Sequence, residues 1–154
     1  MKIAVGGDGA GRPLVDLVIE HLKARAGVSV EDLSASRGAD EKYAVTSERV
    51  AVAVAEGRFD RGVLCCGTGL GVMISANKIP GIRAALCHDT YSAERAVKSN
   101  NAQILTMGAR VIGPELAKAV LDKYLDSEFD PKSHSAANVE AIDALDEKFK
   151  GRAG

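Results

Sequence analysis

A cysteine stands directly before a glycine-rich stretch in the middle of the chain, in the sequence Cys66-Gly67-Thr68-Gly69-Leu70-Gly71. Three glycines allow a tight turn and a close approach of the backbone to another molecule. Because a helix is predicted to follow directly, its unpaired N–H groups and the positive end of its dipole would make this stretch an anion-binding loop. A thiol at such a place ionises more readily than an ordinary one, so Cys66 is a candidate base or nucleophile. The structural alternatives are a plain tight turn and a small core cysteine.

Three further segments carry side chains suited to binding or proton transfer. Asp8 stands between glycines and could either grip ligand hydroxyls or cap the next helix. Arg110, in a turn that begins with glycine, could clamp a phosphate or be an ordinary surface residue. His88 is either an acid/base group or a partner in a local hydrogen bond. Strand alternation should point Cys65 away from Cys66 and into the core.

Short apolar runs alternate along the chain with longer runs of helical spacing. The pattern predicts strands at 2–5, 28–33, 62–66, 82–87 and 103–107, and helices at 12–26, 43–56, 72–77, 90–99, 115–125 and 138–149. Such alternation is typical of a parallel sheet covered by helices on both faces. Ligands of such sheets bind beyond the carboxyl ends of the strands, which is where all the candidate residues above are predicted to lie.

The composition indicates one domain spanning residues 1–154 and argues against several classes of partner. A net charge of −1 does not suit a nucleic-acid-binding surface. No apolar stretch approaches the roughly 20 residues of a membrane span, and the start of the chain does not resemble a signal peptide. Three cysteines without an export signal are expected to be reduced thiols in the cytoplasm, and their spacing predicts no zinc site.

Taken together, these motifs resemble the ribose-5-phosphate isomerase B family, which includes the subunits of galactose-6-phosphate isomerase. The resemblance covers almost the whole chain in one order, and the part from Cys66 to Ala84 is the most specific. The matching stretches are 3–8, 66–71, 76–84, 91–93, Asn100, 108–113 and 139–142.

The resemblance implies an α/β protein: a Rossmann-like three-layer αβα sandwich with a five-stranded parallel sheet. It implies a homodimer whose sites are shared between subunits, with pairing into tetramers left open. It also implies that no metal or other cofactor is used. The ligand would be a small phosphorylated sugar, interconverted between its aldose and ketose forms.

The same resemblance assigns roles to individual residues. Cys66 would move a proton between C1 and C2, with Thr68 assisting near the reacting carbons. The loop amides, including those of Gly67, Gly69 and Gly71, would stabilise the enediolate, since preorganised donors aimed at a developing charge are the strongest help available. Asp8, Tyr43 and Asn100 match substrate contacts, and Arg110 matches a phosphate ligand.

The chain departs from the family pattern at four positions predicted to face the substrate. Gly9 and Ser99 stand where family members commonly carry histidines, and the second of these histidines is credited with opening the sugar ring. His134 and Asn138 stand where two arginines help to hold phosphate. His88 remains a candidate contact that could replace the ring-opening group.

The missing ring-opening histidine suggests a substrate that has no ring. In a tetrose 4-phosphate the phosphate blocks the hydroxyl that would close a furanose. We therefore expect interconversion of D-erythrulose 4-phosphate and D-erythrose 4-phosphate, and the segments 88–95 and 135–143 also look like the erythritol-pathway members of the family. The alternatives are an ordinary ribose-5-phosphate isomerase and a non-catalytic sugar-phosphate binding protein.

Overall fold

Among the residues that the structure describes, the sheet has five strands, all parallel to their neighbours, in the order β2-β1-β3-β5-β4. The computed structural model describes residues 1–36 and 39–149 of the predicted 1–154 domain. The strands are β1 Lys2–Gly7, β2 Ser29–Asp32, β3 Arg61–Cys66, β4 Ala84–Leu86 and β5 Ile104–Gly108. Since all strands run the same way, their carboxyl ends lie together at one end of the sheet, which we call the carboxyl edge. The first residues of the strands lie at the opposite end, which we call the amino edge.

The described part of the chain contains six helices, of which α1 to α5 pack on the sheet and α6 packs against α4. Pro13 lies in the first turn of α1, where a missing N–H costs nothing. The Asp89 carboxylate caps α4 by accepting a hydrogen bond of 2.7 Å from the Ser92 amide. None of the helices in the described part of the chain is long and apolar enough to span a membrane. The helices are α1 Arg12–Lys23, α2 Tyr43–Ala55, α3 Leu70–Ala76, α4 Thr90–Asn100, α5 Pro114–Leu125 and α6 Ala136–Phe149.

The core consists of two apolar clusters, one on each face of the sheet. Helices α1, α4 and α5 contribute to the larger cluster, and α2 and α3 to the smaller one. Cys65 belongs to the first cluster and Cys66 to the second, as strand alternation predicts. The two neighbouring thiols therefore lie in different environments.

The predicted α/β sandwich with a five-stranded parallel sheet is confirmed, while α1, predicted at 12–26, ends at Lys23, and β4, predicted at 82–87, is shorter at both ends. Helix α1 stops at Lys23 because the chain turns there towards Gly27, whose φ of +73° is left-handed. Strand β4 has only three residues. The Arg83 amide before it bonds to the Gln103 side chain at 2.8 Å instead of joining the sheet. Apolar periodicity detects neither the turn that follows α1 nor the side-chain hydrogen bond that precedes β4.

Candidate active site

The glycine loop, residues 66–71, joins β3 to α3 at the carboxyl edge. Gly69 in this loop is held in place by residues of the neighbouring strands β4 and β5. Gly69 has a φ of +79°, in the left-handed region that favours glycine. A Cβ on Gly69 would lie 2.5 Å from Leu86 Cδ1 and 2.8 Å from the carbonyl carbon of Met107. The buried Thr106 hydroxyl donates a 3.1 Å hydrogen bond to the Gly69 carbonyl. Both the conformation and the space therefore require glycine.

Cys66 ends β3 and is held by the loop that follows it. Its Sγ accepts a hydrogen bond from the Gly69 amide at 3.1 Å. The residue is 5% exposed and packs against the α2 and α3 face, so most of its side chain is shielded from water. An amide N–H aimed at sulfur supplies the donor that a thiolate needs in a shielded place.

The rest of the loop offers a hydroxyl and further donors. The Leu70 amide donates to Thr68 Oγ1 at 3.3 Å, and the Thr68 side chain is exposed. The amides of Gly67 and Gly71 form no hydrogen bond with any residue that the structure describes. These two donors are therefore available to an anion.

Arg110 reaches the glycine loop from the turn after β5. Its amide donates to the Gly67 carbonyl at 3.0 Å, and the Ala109 amide donates to the Cys66 carbonyl at 2.9 Å. The guanidinium lies where Gly67 has no side chain, because a Cβ there would be 3.3 Å from Arg110 Nη1. Within residues 1–36 and 39–149 no carboxylate forms a salt bridge with this exposed cation. Arg110 is thus placed to bind an anionic ligand.

Asp8 and Gly9 follow β1 at the same edge and line a cavity of about 240 Å³. Asp8 Oδ1 accepts a hydrogen bond of 2.8 Å from the Gly11 amide and so holds the turn into α1. Asp8 does not cap α1 itself, because the N-cap is Gly11 and no side chain caps this helix. No described residue donates a hydrogen bond to Asp8 Oδ2, which can therefore face a ligand. A Cβ on Gly9 would have no atom within 4 Å, so the side chain missing from Gly9 leaves open space.

Tyr43 begins α2 and packs against the glycine loop. A Cβ on Gly71 would lie 2.8 Å from both Cε2 and Cζ of Tyr43, so the ring rests on the Gly71 backbone. The ring is still 46% exposed. A ligand bound at the loop would meet this ring at the side of α2.

His88 follows β4 and is engaged by the backbone. Its Nε2 accepts a 2.9 Å hydrogen bond from the Gly108 amide, which is the local hydrogen-bonding role considered for it above. Burial lowers the pKa of His88, and the nearby Asp89 carboxylate acts in the opposite direction. The ring is therefore neutral at pH 7, with its proton on Nδ1.

Four predicted site residues lie away from this cluster. Ser99 and Asn100 end α4, directly before β5 begins, and so lie at the amino edge. His134 precedes α6 and Asn138 lies in its first turn; this helix is bound to the amino edge through Asp143, which pairs with Arg83 before β4. One chain thus brings together Asp8, Gly9, Tyr43, the glycine loop, His88 and Arg110, and leaves the other four at the opposite edge.

Several residues that fix this site are missed by the sequence argument. Glu41 accepts hydrogen bonds from the Thr46 hydroxyl and the Arg49 guanidinium beside the start of α2. Thr106 could have been noticed as the one polar residue in the apolar strand β5. In the described part of the chain, no three His, Cys, Asp or Glu side chains are grouped closely enough to hold a metal ion.

The chain matches the family model described as Ribose/Galactose Isomerase over residues 3–142. It is 47% identical over 148 residues to a protein of Listeria innocua named "Ribose-5-P isomerase B", covering 96% of this chain and 99% of that protein. It is 49% identical over 149 residues to "D-erythrulose-4-phosphate isomerase 2" of Mycolicibacterium smegmatis, covering 95% of this chain and 97% of the relative.

The fold agrees with a solved structure of the same kind. The ribose-5-phosphate isomerase B of Clostridium thermocellum superposes with a TM-score of 0.91 at 40% identity, covering 97% of this chain and 99% of the other. The parallel sheet, the glycine loop at its carboxyl edge and the match along nearly the whole sequence agree with one another. The chain therefore belongs to the ribose/galactose isomerase family and is an aldose–ketose isomerase of sugar phosphates.

Proposed function

We propose that Cys66 is the base of this isomerase and moves a proton between C1 and C2 of an open-chain sugar phosphate. The observation that carries the proposal is the Cys66 Sγ held at 3.1 Å by the Gly69 amide, beside loop amides without a partner in the described chain. A thiolate that removes a proton next to the carbonyl leaves negative charge on oxygen. Amides of Gly67 and Gly71 would stabilise that enediolate, and the thiol then returns the proton to the adjacent carbon.

The exposed hydroxyl of Thr68 lies on the same loop and would transfer hydrogen between the two substrate oxygens. Arg110 would bind the phosphate, because an unpaired guanidinium suits two phosphate oxygens at once. The distance between the reacting carbons and the phosphate is then set by the gap between Cys66 and the Arg110 guanidinium. A short substrate is favoured because the Arg110 guanidinium lies directly against Gly67, the residue after Cys66.

We propose D-erythrulose 4-phosphate and D-erythrose 4-phosphate as the substrate pair. The open space at Gly9 and the serine at position 99 leave no imidazole at the positions where the family carries histidines. A tetrose 4-phosphate needs no ring opening. Relatives named for erythrulose 4-phosphate and for ribose 5-phosphate match this chain about equally well, at 49% and 47% identity. Sequence identity therefore does not decide between the two substrates, and the proposal of a tetrose phosphate rests on the residues of the site.

We also propose that a second copy of the chain completes the site. Asn100 and Asn138 can act on a substrate at Cys66 only if the amino edge of another subunit faces the carboxyl edge of the first. The exposed apolar side chains of Leu70 and Ile74 on α3, and of Leu145 on α6, suit such a contact. The cytoplasmic location stays a prediction from the sequence.

The substrate is tested by measuring kcat/KM for D-erythrulose 4-phosphate and for ribose 5-phosphate with the same preparation. We expect the tetrose phosphate to be preferred at least about tenfold, a difference of about 1.4 kcal/mol in transition-state binding. Installing the imidazole, as Ser99→His, should raise kcat/KM for ribose 5-phosphate more than for the tetrose. A wild-type protein that prefers ribose 5-phosphate would show the substrate proposal to be wrong.

A further inference from the structure

His88 ends the pairing between β4 and β5 with its side chain. The Cys87 amide still bonds to the Thr106 carbonyl at 3.2 Å, as a strand residue would. The next amide on the β5 side belongs to Gly108, and it donates to His88 Nε2 at 2.9 Å instead of to a carbonyl of β4. The chain can therefore leave the sheet after three strand residues without stranding the Gly108 amide.

The turn that His88 holds is joined directly to the catalytic loop. Gly108 lies against Thr68, since a Cβ on Gly108 would be 2.5 Å from the Thr68 carbonyl carbon. The next two amides, those of Ala109 and Arg110, bond to the carbonyls of Cys66 and Gly67. A shift of Gly108 would consequently displace both the Thr68 backbone and the Arg110 guanidinium.

We propose that His88 is a positioning residue whose neutral ring accepts the Gly108 amide and thereby sets the place of Arg110, and that protonation of the ring releases this turn. The proposal rests on the role of Arg110 as phosphate ligand given above. It assigns to His88 no contact with the reacting carbons. It predicts instead that the ring acts through phosphate binding.

The protonation state of the His88 ring determines the direction of the pH effect. Only a neutral imidazole can accept at Nε2; an imidazolium donates at both nitrogens, so the Gly108 bond is lost on protonation. Burial lowers the pKa of His88 from its ordinary value near 6.5. The bond is therefore complete above about pH 6.5 and is lost as the pH falls through the lower folded value.

Two titratable neighbours of His88 keep their charge state over this pH range. Asp89 has its pKa lowered by hydrogen bonds from Ser92 and stays charged over this range. Cys87 has its pKa raised to about 11 by burial and stays neutral. From the facing loops, Arg110 carries a fixed positive charge and Cys66 carries the thiol proposed as base.

Two variants separate the acceptor from the titration. His88→Gln places an amide oxygen near the position of Nε2 and keeps an acceptor that cannot be protonated near neutral pH. His88→Leu keeps similar bulk without an acceptor. At pH 8 we expect His88→Leu to raise KM about tenfold with a smaller change in kcat, as for the loss of one buried amide partner, and His88→Gln to rescue most of that loss.

The pH profile supplies the readout that a purely structural role would not change. We expect the ratio of kcat/KM for His88→Gln to that for wild type to rise as the pH is lowered from 7 to 5. The ionisation of the substrate phosphate affects both proteins alike and cancels in the ratio. A constant ratio, or an unchanged KM in folded His88→Leu, would overturn the proposal.

The hydrogen bond can also be followed without any substrate. In wild-type protein, the NMR shift of the Gly108 amide proton should change with pH at the same midpoint as the His88 ring nitrogens. A Gly108 amide that does not follow the ring would refute the inference even if His88→Leu fails to fold. If wild type turned over no sugar phosphate, the proposed substrates would be wrong while this titration still tested His88.

Discussion

Cys65 and Cys66 are neighbours in β3 but lie on opposite faces of the sheet, so their thiols have different environments. Cys65 is fully buried under α1, and burial, together with the nearby Cys66 and Asp8, raises the pKa of its thiol far above the ordinary range. Such a thiol is inert near neutral pH. Cys66 points to the other face, ends the strand and receives the Gly69 amide on its sulfur. Only the second cysteine has both a donor and a route to a ligand.

This difference predicts opposite results for the two alanine variants. We expect Cys66→Ala to lower kcat by about a thousandfold, the order of magnitude for loss of a general base, and to lower the free energy of unfolding by about 1–3 kcal/mol, because the Gly69 amide loses its acceptor. Cys65→Ala should lower the free energy of unfolding by about 1 kcal/mol through a small cavity and leave kcat within about twofold of wild type. Steady-state kinetics and thermal unfolding measure both. Full activity in folded Cys66→Ala would eliminate Cys66 as the base.

At the scale of elements, the segment before α2 controls how Tyr43 meets the glycine loop. Glu41 accepts hydrogen bonds from Thr46 and Arg49, and Arg49 Nη1 also donates to the Leu33 carbonyl at 2.6 Å. The pair therefore ties the end of β2 to the first turns of α2. Two hydrogen bonds hold the pKa of Glu41 below its ordinary value: the one from Arg49 has the larger effect and the one from Thr46 the smaller.

We therefore expect Glu41→Gln to raise KM about five- to tenfold, because weakening a charge-assisted hydrogen bond loosens the start of α2 under Tyr43. Glu48→Gln is the matched control, since it makes the same charge change at an exposed position of α2. Arg49→Gln should have the same effect, and the double variant should be no worse than either single one. Additive effects on KM, or an equal effect of Glu48→Gln, would argue against a coupled pair.

The contribution of Glu41 should also depend on pH. Because its folded pKa lies below the unfolded value near 4.5, the stabilisation is present above that value and is lost as the pH falls through the folded pKa. The acid-induced destabilisation of wild type relative to Glu41→Gln thus belongs below about pH 4.5.

The order of elements could be predicted from the sequence, because apolar periodicity and glycine positions are local signals. The meeting of Arg110 with the glycine loop could be expected only in outline. It depends on β5 lying beside β3, and the order β2-β1-β3-β5-β4 is not written in any local pattern. The hydrogen bond of His88 to Gly108 depends on β4 ending after three residues. Family resemblance supplied the role of Asn100 as a substrate contact and matched Asn138 to a phosphate-binding arginine, but only the fold places them away from Cys66.

At the scale of the whole molecule, the two sets of site residues are separated by the length of the sheet. Strand β3 has six residues and so spans about 20 Å at about 3.3 Å per residue. Cys66 is the last residue of β3 and Arg110 lies beside the loop that follows it, whereas Asn100 lies at the amino edge, in a groove with Ile142 and Leu145. A small sugar phosphate cannot reach both within one chain. A twofold dimer that faces one edge with the other would make two complete sites.

Subunit mixing tests that arrangement. Cys66→Ala and Asn100→Ala alter opposite edges, so a heterodimer of the two would contain one intact site and one site with both changes. With both parents nearly inactive, random exchange of an equal mixture should restore about a quarter of wild-type activity, because half the dimers are mixed and each has one working site. Cys66→Ala mixed with Arg110→Ala is the control, since both residues lie at the carboxyl edge of one chain and every site then keeps a defect. Recovery in this control, or none in the first mixture after exchange is verified by mass spectrometry, would rule out sites shared between subunits.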